Sequence, residues 1–301
     1  MKQLLPKQRE LVSSLTSKLE AIRGVKAVVL GGSHARGRAR PDSDIDLGLF
    51  YSEVDPFSIQ NIRELADTVN DSAGPVVSEF YGWGPWVNGG AWLTVNGQRV
   101  DFIYRSLKHV ERVIAEAEAG RYELHYLQQP PFGFFSPTYL GEIAVCIPLF
   151  DPHALIDHLK RRVTVYPHAL RQTVIRDFLW MAEFGLFAFA RKFAARSDAW
   201  GTTSCLASAV NHLVMVLFAL NHRYPLNDKT AMEEVAEFDH APKEFVERVQ
   251  KTFASLGASD EELAAAVEGV TQLFRETAEL AAELYEPRYS LRDVLPNASQ
   301  M

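Results

Sequence analysis

The chain has few cysteines, no long apolar run and no excess of positive charge. Its two cysteines, Cys146 and Cys205, lie in separate apolar segments without C-x-x-C spacing, so neither a disulfide framework nor a zinc site is expected. No run approaches the roughly 18 consecutive apolar residues of a membrane span, and the first residues lack the apolar core of a signal peptide. These absences predict a protein that does not cross a membrane and is located in the cytoplasm.

The charge balance is acidic. The chain has 31 Lys and Arg residues against 38 Asp and Glu residues, which gives a formal net charge of −7. A broad nucleic-acid-binding surface usually shows a basic excess, so extended nucleic-acid binding is not expected and a small molecule is the expected partner. The 301 residues exceed one average domain, and 47% are hydrophobic, which suffices for a sizeable core. The oligomeric state is left open.

The first informative segment is an apolar run that ends in a glycine turn. Residues 28–30 are Val-Val-Leu, and Gly31, Gly32 and Ser33 follow. Where side chains are missing, backbone N–H groups can approach an anion, and Ser33 adds a hydroxyl donor. The segment therefore predicts a strand followed by a phosphate-binding turn at Gly32 and Ser33.

The second segment carries two carboxylates two residues apart, Asp44 and Asp46. On an extended strand both would point to one face, and Ile45, Leu47 and Leu49 would point to the opposite, core-facing side. Carboxylates that hold divalent ions neutralise phosphate charge, which is most of what phosphoryl and nucleotidyl transfer require. The segment therefore predicts a metal-binding strand.

Other interpretations of these segments were weighed. A calcium loop of the EF-hand type needs glycine where Leu47 stands, and a P-loop needs Lys and Ser or Thr where Arg38 and Ala39 follow Gly37. An Asp-x-Asp pair alone also fits a solvated strand face. Nucleotide-sugar glycosyltransferases use Asp-x-Asp with a metal as well, but they do not call for the Gly-Gly-Ser turn upstream.

The spacing of the two segments resembles the signature of the nucleotidyltransferase superfamily. Gly32-Ser33, ten intervening residues and then Asp-Ile-Asp-Leu from Asp44 are similar to the motif of DNA polymerase β, the antibiotic adenylyltransferases and the minimal nucleotidyltransferases. The resemblance covers roughly the first half of the chain. It implies that the Gly-Ser turn binds the triphosphate, that Asp44 and Asp46 bind Mg²⁺, and that a third acid comes from a neighbouring strand.

Asp101 is the first candidate for this third acid. Asn96-Gly97 predicts a hairpin between strands at 92–95 and 98–104, which places Asp101 in mid-strand, where a lone carboxylate is costly to bury unless it is paired or metal-bound. An edge-strand Asp paired with Arg99 is the alternative. Glu79, also in a predicted strand, ranks second as the third acid.

Several residues around these segments are candidates for binding. Arg36, with Arg38 and Arg40 after it, could meet triphosphate oxygens, and Arg36 is nearest to the turn; His34 is expected at the surface. The loop 81–90 contains Trp83 and Trp86, which either stack on a ring of a substrate or cover the hairpin.

The pattern of elements predicts an α+β fold. A nucleotidyltransferase-like mixed sheet with helices is expected in residues 1–150, and an all-helical bundle in residues 151–301, with long helices at 171–196, 202–222 and 260–284. By analogy with the resembled antibiotic-modifying enzymes, the bundle would shape the acceptor site. Trp180 and Glu183 are its candidate acceptor-binding residues, although an aromatic stripe of this kind also fits a core.

The function that the resemblance implies is that of a Mg²⁺-dependent nucleotidyltransferase. It would transfer a nucleoside monophosphate, most simply AMP from ATP, to a hydroxyl of a small-molecule acceptor and release pyrophosphate. Asp44, Asp46 and Asp101 would hold two Mg²⁺ ions, and Gly32, Ser33 and Arg36 would bind the nucleotide. The general base is Asp101, Glu79 or Glu183. The alternative is a nucleotidyltransferase-like antitoxin or nucleotide-binding regulatory module without turnover.

Overall fold

The fold was described from a computed structural model, which covers residues 4–129 and 131–289. The chain divides into two compact units. The first consists of Met1–Ala117 with Tyr122–Val165, and the second of Glu118–Arg121 with Tyr166–Met301. The first unit contains every strand in the described part of the chain, and the second is built from helices. An α+β sheet region followed by a helical region confirms the predicted fold class.

The first unit is organised around a mixed six-stranded sheet. Its strand order is β3-β4-β5-β2-β1-β8, and β2 and β5 run parallel while the other neighbours are antiparallel. A separate two-stranded ribbon joins β6 and β7. The strands are β1 (Val25–Leu30), β2 (Ile45–Tyr51), β3 (Val76–Val77), β4 (Gly90–Val95), β5 (Gln98–Ser106), β6 (Leu124–His125), β7 (Phe134–Phe135) and β8 (Ile147–Phe150).

The alternation along β2 decides which face of the sheet is buried. Ile45, Leu47 and Leu49 are fully buried, as their spacing predicted, and they join a core that also takes in apolar residues of the flanking helices and of β1, β4 and β5. Side chains of successive strand residues point to opposite faces, so the residues between them face away from this core. The apolar pattern therefore fixes the face on which Asp46 stands.

Helices flank the sheet, and two of them begin as the sequence indicates. The Ser106 hydroxyl oxygen accepts a hydrogen bond from the His109 N–H, which caps α4. Asp151 was expected to cap the next helix directly; that helix begins later, at Leu155, yet the Asp151 carboxylate still accepts from its first N–H groups. The helices are α1 (Pro6–Glu20), α2 (Gly32–Arg36), α3 (Ile59–Val69), α4 (Leu107–Glu118), α5 (Thr138–Val145) and α6 (Leu155–Val163).

The hairpin and the edge strand also follow the sequence, whereas one strand is shorter than predicted. Asn96 and Gly97 have φ of 53° and 76° and join β4 to β5 in a two-residue turn. The apolar run at 147–150 pairs with β1 at the edge of the sheet. The strand predicted over 76–80 is limited to β3, because the chain turns at Glu79 and Phe80 toward the glycine-rich loop.

The second unit consists of long helices packed on one another. The helix predicted over 171–196 runs from His168 to Ala194, with a π-helical stretch at Gly185–Ala190 that the sequence did not indicate. Ser259 and Glu262 form a capping box at the start of the last helix. The helices are α7 (His168–Phe184), α8 (Arg191–Ala194), α9 (Ala199–Leu220), α10 (Asp228–Val235), α11 (Phe245–Ala254) and α12 (Asp260–Leu280).

Helix α9 is long and apolar enough to cross a membrane by length and composition. It is the one helix of that kind within residues 4–129 and 131–289, and 67% of its most apolar stretch is buried inside the protein. His212, near its middle, is buried, and burial lowers the pKa of its imidazole to about 4. The helix therefore has the surroundings of a core helix, and nothing in it argues for a membrane location.

Glu183 binds the protein's own chain. Its carboxylate is fully buried and accepts hydrogen bonds from the Tyr285 hydroxyl and from the N–H groups of Arg288, at 2.7 Å, and Tyr289, at 2.6 Å. The Arg288 guanidinium lies 4.3 Å above the Trp180 ring. The pair proposed from the sequence as acceptor-binding is thus covered by residues 285–289, and Glu183 fastens that segment to α7.

Glu183 is expected to stabilise the second unit. In Glu183→Ala, two backbone N–H groups and one hydroxyl lose a charged acceptor in a buried place, so the free energy of unfolding should fall by about 3 kcal/mol. Glu183→Gln keeps acceptor and donor atoms and should lose less than half of that. Urea unfolding measures both, with exposed Glu283→Ala as the control. Equal stability of Glu183→Ala and Glu283→Ala would contradict the anchoring role.

Candidate active site

The parallel pairing of β2 and β5 places two carboxylates side by side. Asp46 is the register partner of Asp101, and Asp101 is in turn the partner of Trp92 on β4. On the other side of Asp46, its carbonyl accepts the Gly31 N–H at 2.8 Å. Neighbouring strands lie about 4.8 Å apart, so Trp92, Asp101, Asp46 and the glycine turn form one row across the outer face of the sheet. We call it the site row.

The Asp46 carboxylate occupies the space where a side chain at position 32 would lie. The residue has a φ of +57°, and a Cβ built on it would lie 1.7 Å from Asp46 Oδ2. Only glycine adopts such a φ readily and also leaves that volume empty. Glycine at position 32 is therefore required both by the turn after β1 and by the acid of β2.

Helix α2 follows this turn and contains the other predicted nucleotide-binding residues. It starts after Gly31 and ends at Gly37, whose φ is +74°. Ser33 and Arg36 are half-buried in it. His34, expected at the surface, is instead buried, and burial lowers the pKa of its imidazole. The turn therefore rests on a neutral, inward-facing ring, while Ser33 and Arg36 stay partly accessible.

Asp44, just before β2, is held by Arg99 at the start of β5. The Arg99 Nε lies 2.6 Å from Asp44 Oδ1, and another nitrogen of the same guanidinium donates to the Asp42 carbonyl at 2.7 Å. Arg99 thus contacts the segment before β2, since the parallel register starts at Ile45 and Val100 and brings the start of β5 beside Asp44. This ion pair is partly exposed, so its net contribution to stability is small.

An ion pair with a buried arginine lies further along β5 on the same side as Asp101. Arg105 donates two hydrogen bonds to the Glu142 carboxylate, at 2.8 and 2.7 Å, and stands 5.1 Å from the Tyr139 ring. Burial alone would lower the pKa of Arg105, but the Glu142 carboxylate and, more weakly, Asp46 raise it above its ordinary value. The positive charge of Arg105, four residues beyond Asp101 on β5, therefore acts on Asp46. The sequence offered no signal for this pair, since its partners are far apart in the chain.

The two tryptophans of the glycine-rich loop have different surroundings. Trp86 is buried and stacks on Phe134 at 5.5 Å, which fits the covering role. Trp83 stacks on Trp92 with ring centroids 4.7 Å apart and an angle of 21° between the planes, and 53% of Trp92 is exposed. An aromatic surface thus stands next to Asp101, at one end of the site row.

Glu79 lies apart from the other acids. It is exposed, follows β3, and its carboxylate pairs with the Arg63 guanidinium of α3. Asp101, by contrast, is the direct neighbour of Asp46. Between the two candidates for the third acid, the fold brings Asp101 to the site row.

The carboxylates suit a divalent ion by their chemistry. Hard cations such as Mg²⁺ take carboxylate oxygens, and Asp46 Oδ2 occupies the space where a Gly32 side chain would lie, beside the turn after β1. No cluster of three or more Asp, Glu, His or Cys side chains is gathered for a metal in the part of the chain that the structure describes, since Asp44 is turned to Arg99. Asp46 and Asp101 are thus the pair that fits the ion, and Arg99 would compete with it for Asp44.

Two family models match parts of the chain. Residues 9–122, which include the whole site row, match the model of the nucleotidyltransferase domain family, and residues 144–229 match a domain of unknown function, DUF4037. No curated protein matches the chain.

Similar solved structures include two bacterial proteins. A nucleotidyltransferase-like protein from Exiguobacterium sibiricum is 11% identical, with a TM-score of 0.44, over 95% of this chain and 81% of that one. An aminoglycoside 6-adenyltransferase from Bacillus subtilis is 12% identical, with a TM-score of 0.35, over 96% and 95% of the two chains.

Gly32→Ala should displace the Asp46 carboxylate. The added Cβ would overlap Asp46 Oδ2, so we expect at least a tenfold loss of Mn²⁺ affinity in calorimetric titration. Gly74→Ala is the matched control, because Gly74 also has a positive φ, +75°, but a Cβ there meets nothing within 4 Å. Both variants carry the conformational cost of roughly 1–2 kcal/mol. Equal Mn²⁺ affinity in the two variants would contradict the coupling between Gly32 and Asp46.

Proposed function

Because residues 9–122 belong to the nucleotidyltransferase superfamily, we propose that this chain is an enzyme that transfers a nucleoside monophosphate from a nucleoside triphosphate to a small-molecule hydroxyl. Domains of this kind generally use a triphosphate and a divalent metal. The donor proposed here is ATP and the metal is Mg²⁺, so that AMP is transferred and pyrophosphate is released. The observation that carries the proposal is the site row, in which two adjacent carboxylates meet a glycine turn.

Each end of the site row has its own role. The N–H groups at Gly32 and Ser33, with the Ser33 hydroxyl, bind the phosphates of the leaving pyrophosphate, and Arg36, in the same short helix as Ser33, is the residue proposed to neutralise their charge. Asp46 and Asp101 hold the metal, and Asp44 joins them when it leaves Arg99. Bound Mg²⁺ supplies charge neutralisation at the phosphates and lowers the pKa of a coordinated hydroxyl.

Transfer then needs one bond made and one broken. The acceptor hydroxyl oxygen bonds to the α-phosphorus, the bond from that phosphorus to the bridging oxygen of the β-phosphate breaks, and pyrophosphate leaves toward Ser33. The hydroxyl proton goes to the Asp101 carboxylate, which faces the side opposite the glycine turn. Arg105 adds a permanent positive charge beneath the acids, which favours the charged form of Asp46 during the reaction.

Asp46→Asn should abolish most of the activity. The substitution removes the negative charge that holds the metal in the site row, and the loss of several kcal/mol of electrostatic stabilisation lowers kcat by at least about a thousandfold. Pyrophosphate release from ATP and Mg²⁺ over a panel of acceptors measures this effect. Asp42→Asn, which makes the same charge change on an exposed residue, should keep parental kcat. Parental turnover in folded Asp46→Asn would exclude the mechanism, and ATP binding without turnover on any acceptor would favour a regulatory module.

Ser33→Ala should weaken nucleotide binding without removing it. The variant loses one hydroxyl donor and keeps the backbone turn, so the binding free energy of a non-hydrolysable ATP analogue should weaken by about 1–2 kcal/mol. The Kd should then rise about 5- to 30-fold. Mn²⁺ affinity should stay as in the parent. Calorimetry measures both, with Ser204→Ala, at an exposed position of helix α9, as the control. Equal nucleotide affinity in Ser33→Ala and parent would place Ser33 outside the phosphate site.

A further inference from the structure

We infer that the stacked pair of Trp83 and Trp92 is the binding surface for a ring of the acceptor, which makes the acceptor a hydroxyl-bearing ring compound, either a sugar or an aryl alcohol. The inference rests on the proposed function, because it assigns the acceptor side of that reaction. We call this pair the aromatic shelf. Its two rings lie 4.7 Å apart, at the end of the site row that is farthest from Gly32.

The shelf is held rigidly, while its outer part stays accessible. The Trp83 N–H donates to the Asn88 carbonyl at 3.1 Å, and its own carbonyl accepts from Gln128. A Cβ on Gly90 would meet the Phe102 carbonyl oxygen at 1.9 Å and the Trp83 ring at 3.0 Å, so the Trp83 ring packs closely against the backbone of β4. Trp92 is 53% exposed, whereas its neighbours Ala91 and Leu93 are buried. A large apolar side chain fixed from behind and open in front is suited to ligand contact.

The order of the site row assigns the shelf to the acceptor. In an in-line displacement the attacking oxygen enters opposite the leaving group. If pyrophosphate leaves toward the turn at Ser33, the acceptor enters from the side of Asp101, whose register neighbour is Trp92. The acceptor hydroxyl then meets Asp101 while the rest of the acceptor lies over the indole of Trp92.

The chemistry of the shelf defines the class of acceptor. An indole face binds flat rings and the apolar face of sugars, and its negative π-face, with Asp101 alongside, favours neutral or cationic compounds over anions. An acyclic alcohol such as glycerol has the hydroxyl but no ring to stack. We therefore expect ring-bearing alcohols to bind and glycerol not to.

The test measures binding of three neutral probes in the presence of Mg²⁺ and a non-hydrolysable ATP analogue. The probes are methyl β-D-glucoside as a sugar ring, 2-phenylethanol as an aryl alcohol and glycerol as the acyclic control, and saturation-transfer NMR gives their affinities. At least one ring probe should bind the parent about tenfold more tightly than glycerol. Trp92→Ala should lose that difference, Trp92→Phe should keep most of it, and Trp200→Ala, which alters an exposed tryptophan of the second unit, should behave as the parent.

Each outcome decides the inference. The ring probe whose binding is lost in Trp92→Ala identifies the acceptor as a sugar or as an aryl alcohol. The inference is wrong if ring binding is unchanged in Trp92→Ala, or if the parent shows no preference for rings over glycerol. It is also wrong if Trp92→Ala loses affinity for the ATP analogue and keeps ring binding, since the indole would then bind the nucleobase. Pyrophosphate release is measured separately. Ring binding through Trp92 without pyrophosphate release for any probe or wider acceptor panel supports the shelf and contradicts the transferase function.

Discussion

The candidate active site depends on the parallel register between β2 and β5. That register makes Asp46 and Asp101 neighbours, and like charges on adjacent strands repel each other unless a cation stands between or beside them. The fold supplies part of the compensation, since buried Arg105 acts on Asp46 from within the first unit. In the proposed reaction a divalent ion would add to this compensation. A shift of either strand by one residue would turn the acid of that strand into the core, so the strand pairing and the chemistry cannot be changed independently.

Two arginines near the acids differ in what they can contribute. Arg105 is buried and paired in a bidentate way with the partly exposed Glu142, so its charge is permanent and removal of Glu142 would leave an uncompensated buried charge. Arg99 is largely exposed and pairs with Asp44 at the mouth of the site row. A solvent-screened pair of this kind is exchanged at little cost in free energy. Arg105 therefore supplies a constant positive potential near the acids, whereas Arg99 is the arginine that a bound metal would displace from Asp44.

Local sequence patterns predicted the helices and strands of the fold. They predicted less well the contacts that depend on pairing between distant strands. The alternation at Ile45, Leu47 and Leu49 and the turn at Asn96-Gly97 act within a few residues, and the structure has both as expected. The sequence offered a pair of Arg99 with Asp101, two residues away, as an alternative, but it gave no sign of the ion pair of Arg99 with Asp44, 55 positions earlier in the chain. Register between distant strands follows from tertiary packing, which single-sequence patterns do not encode.

Burial decided the roles that residue type alone left open. Glu183 and Trp83 each stand among aromatic residues in the sequence, and the pattern suited ligand binding at both. Glu183 is fully buried and its oxygens accept hydrogen bonds from the protein's own N–H and hydroxyl groups, so a ligand does not reach its carboxylate. Trp83 instead supports Trp92, which remains half exposed beside Asp101. The sequence specifies which side chains are present, but only packing determines which of them remain accessible to a ligand. For this reason the proposed acceptor site lies at the edge of the sheet and not in the helical unit.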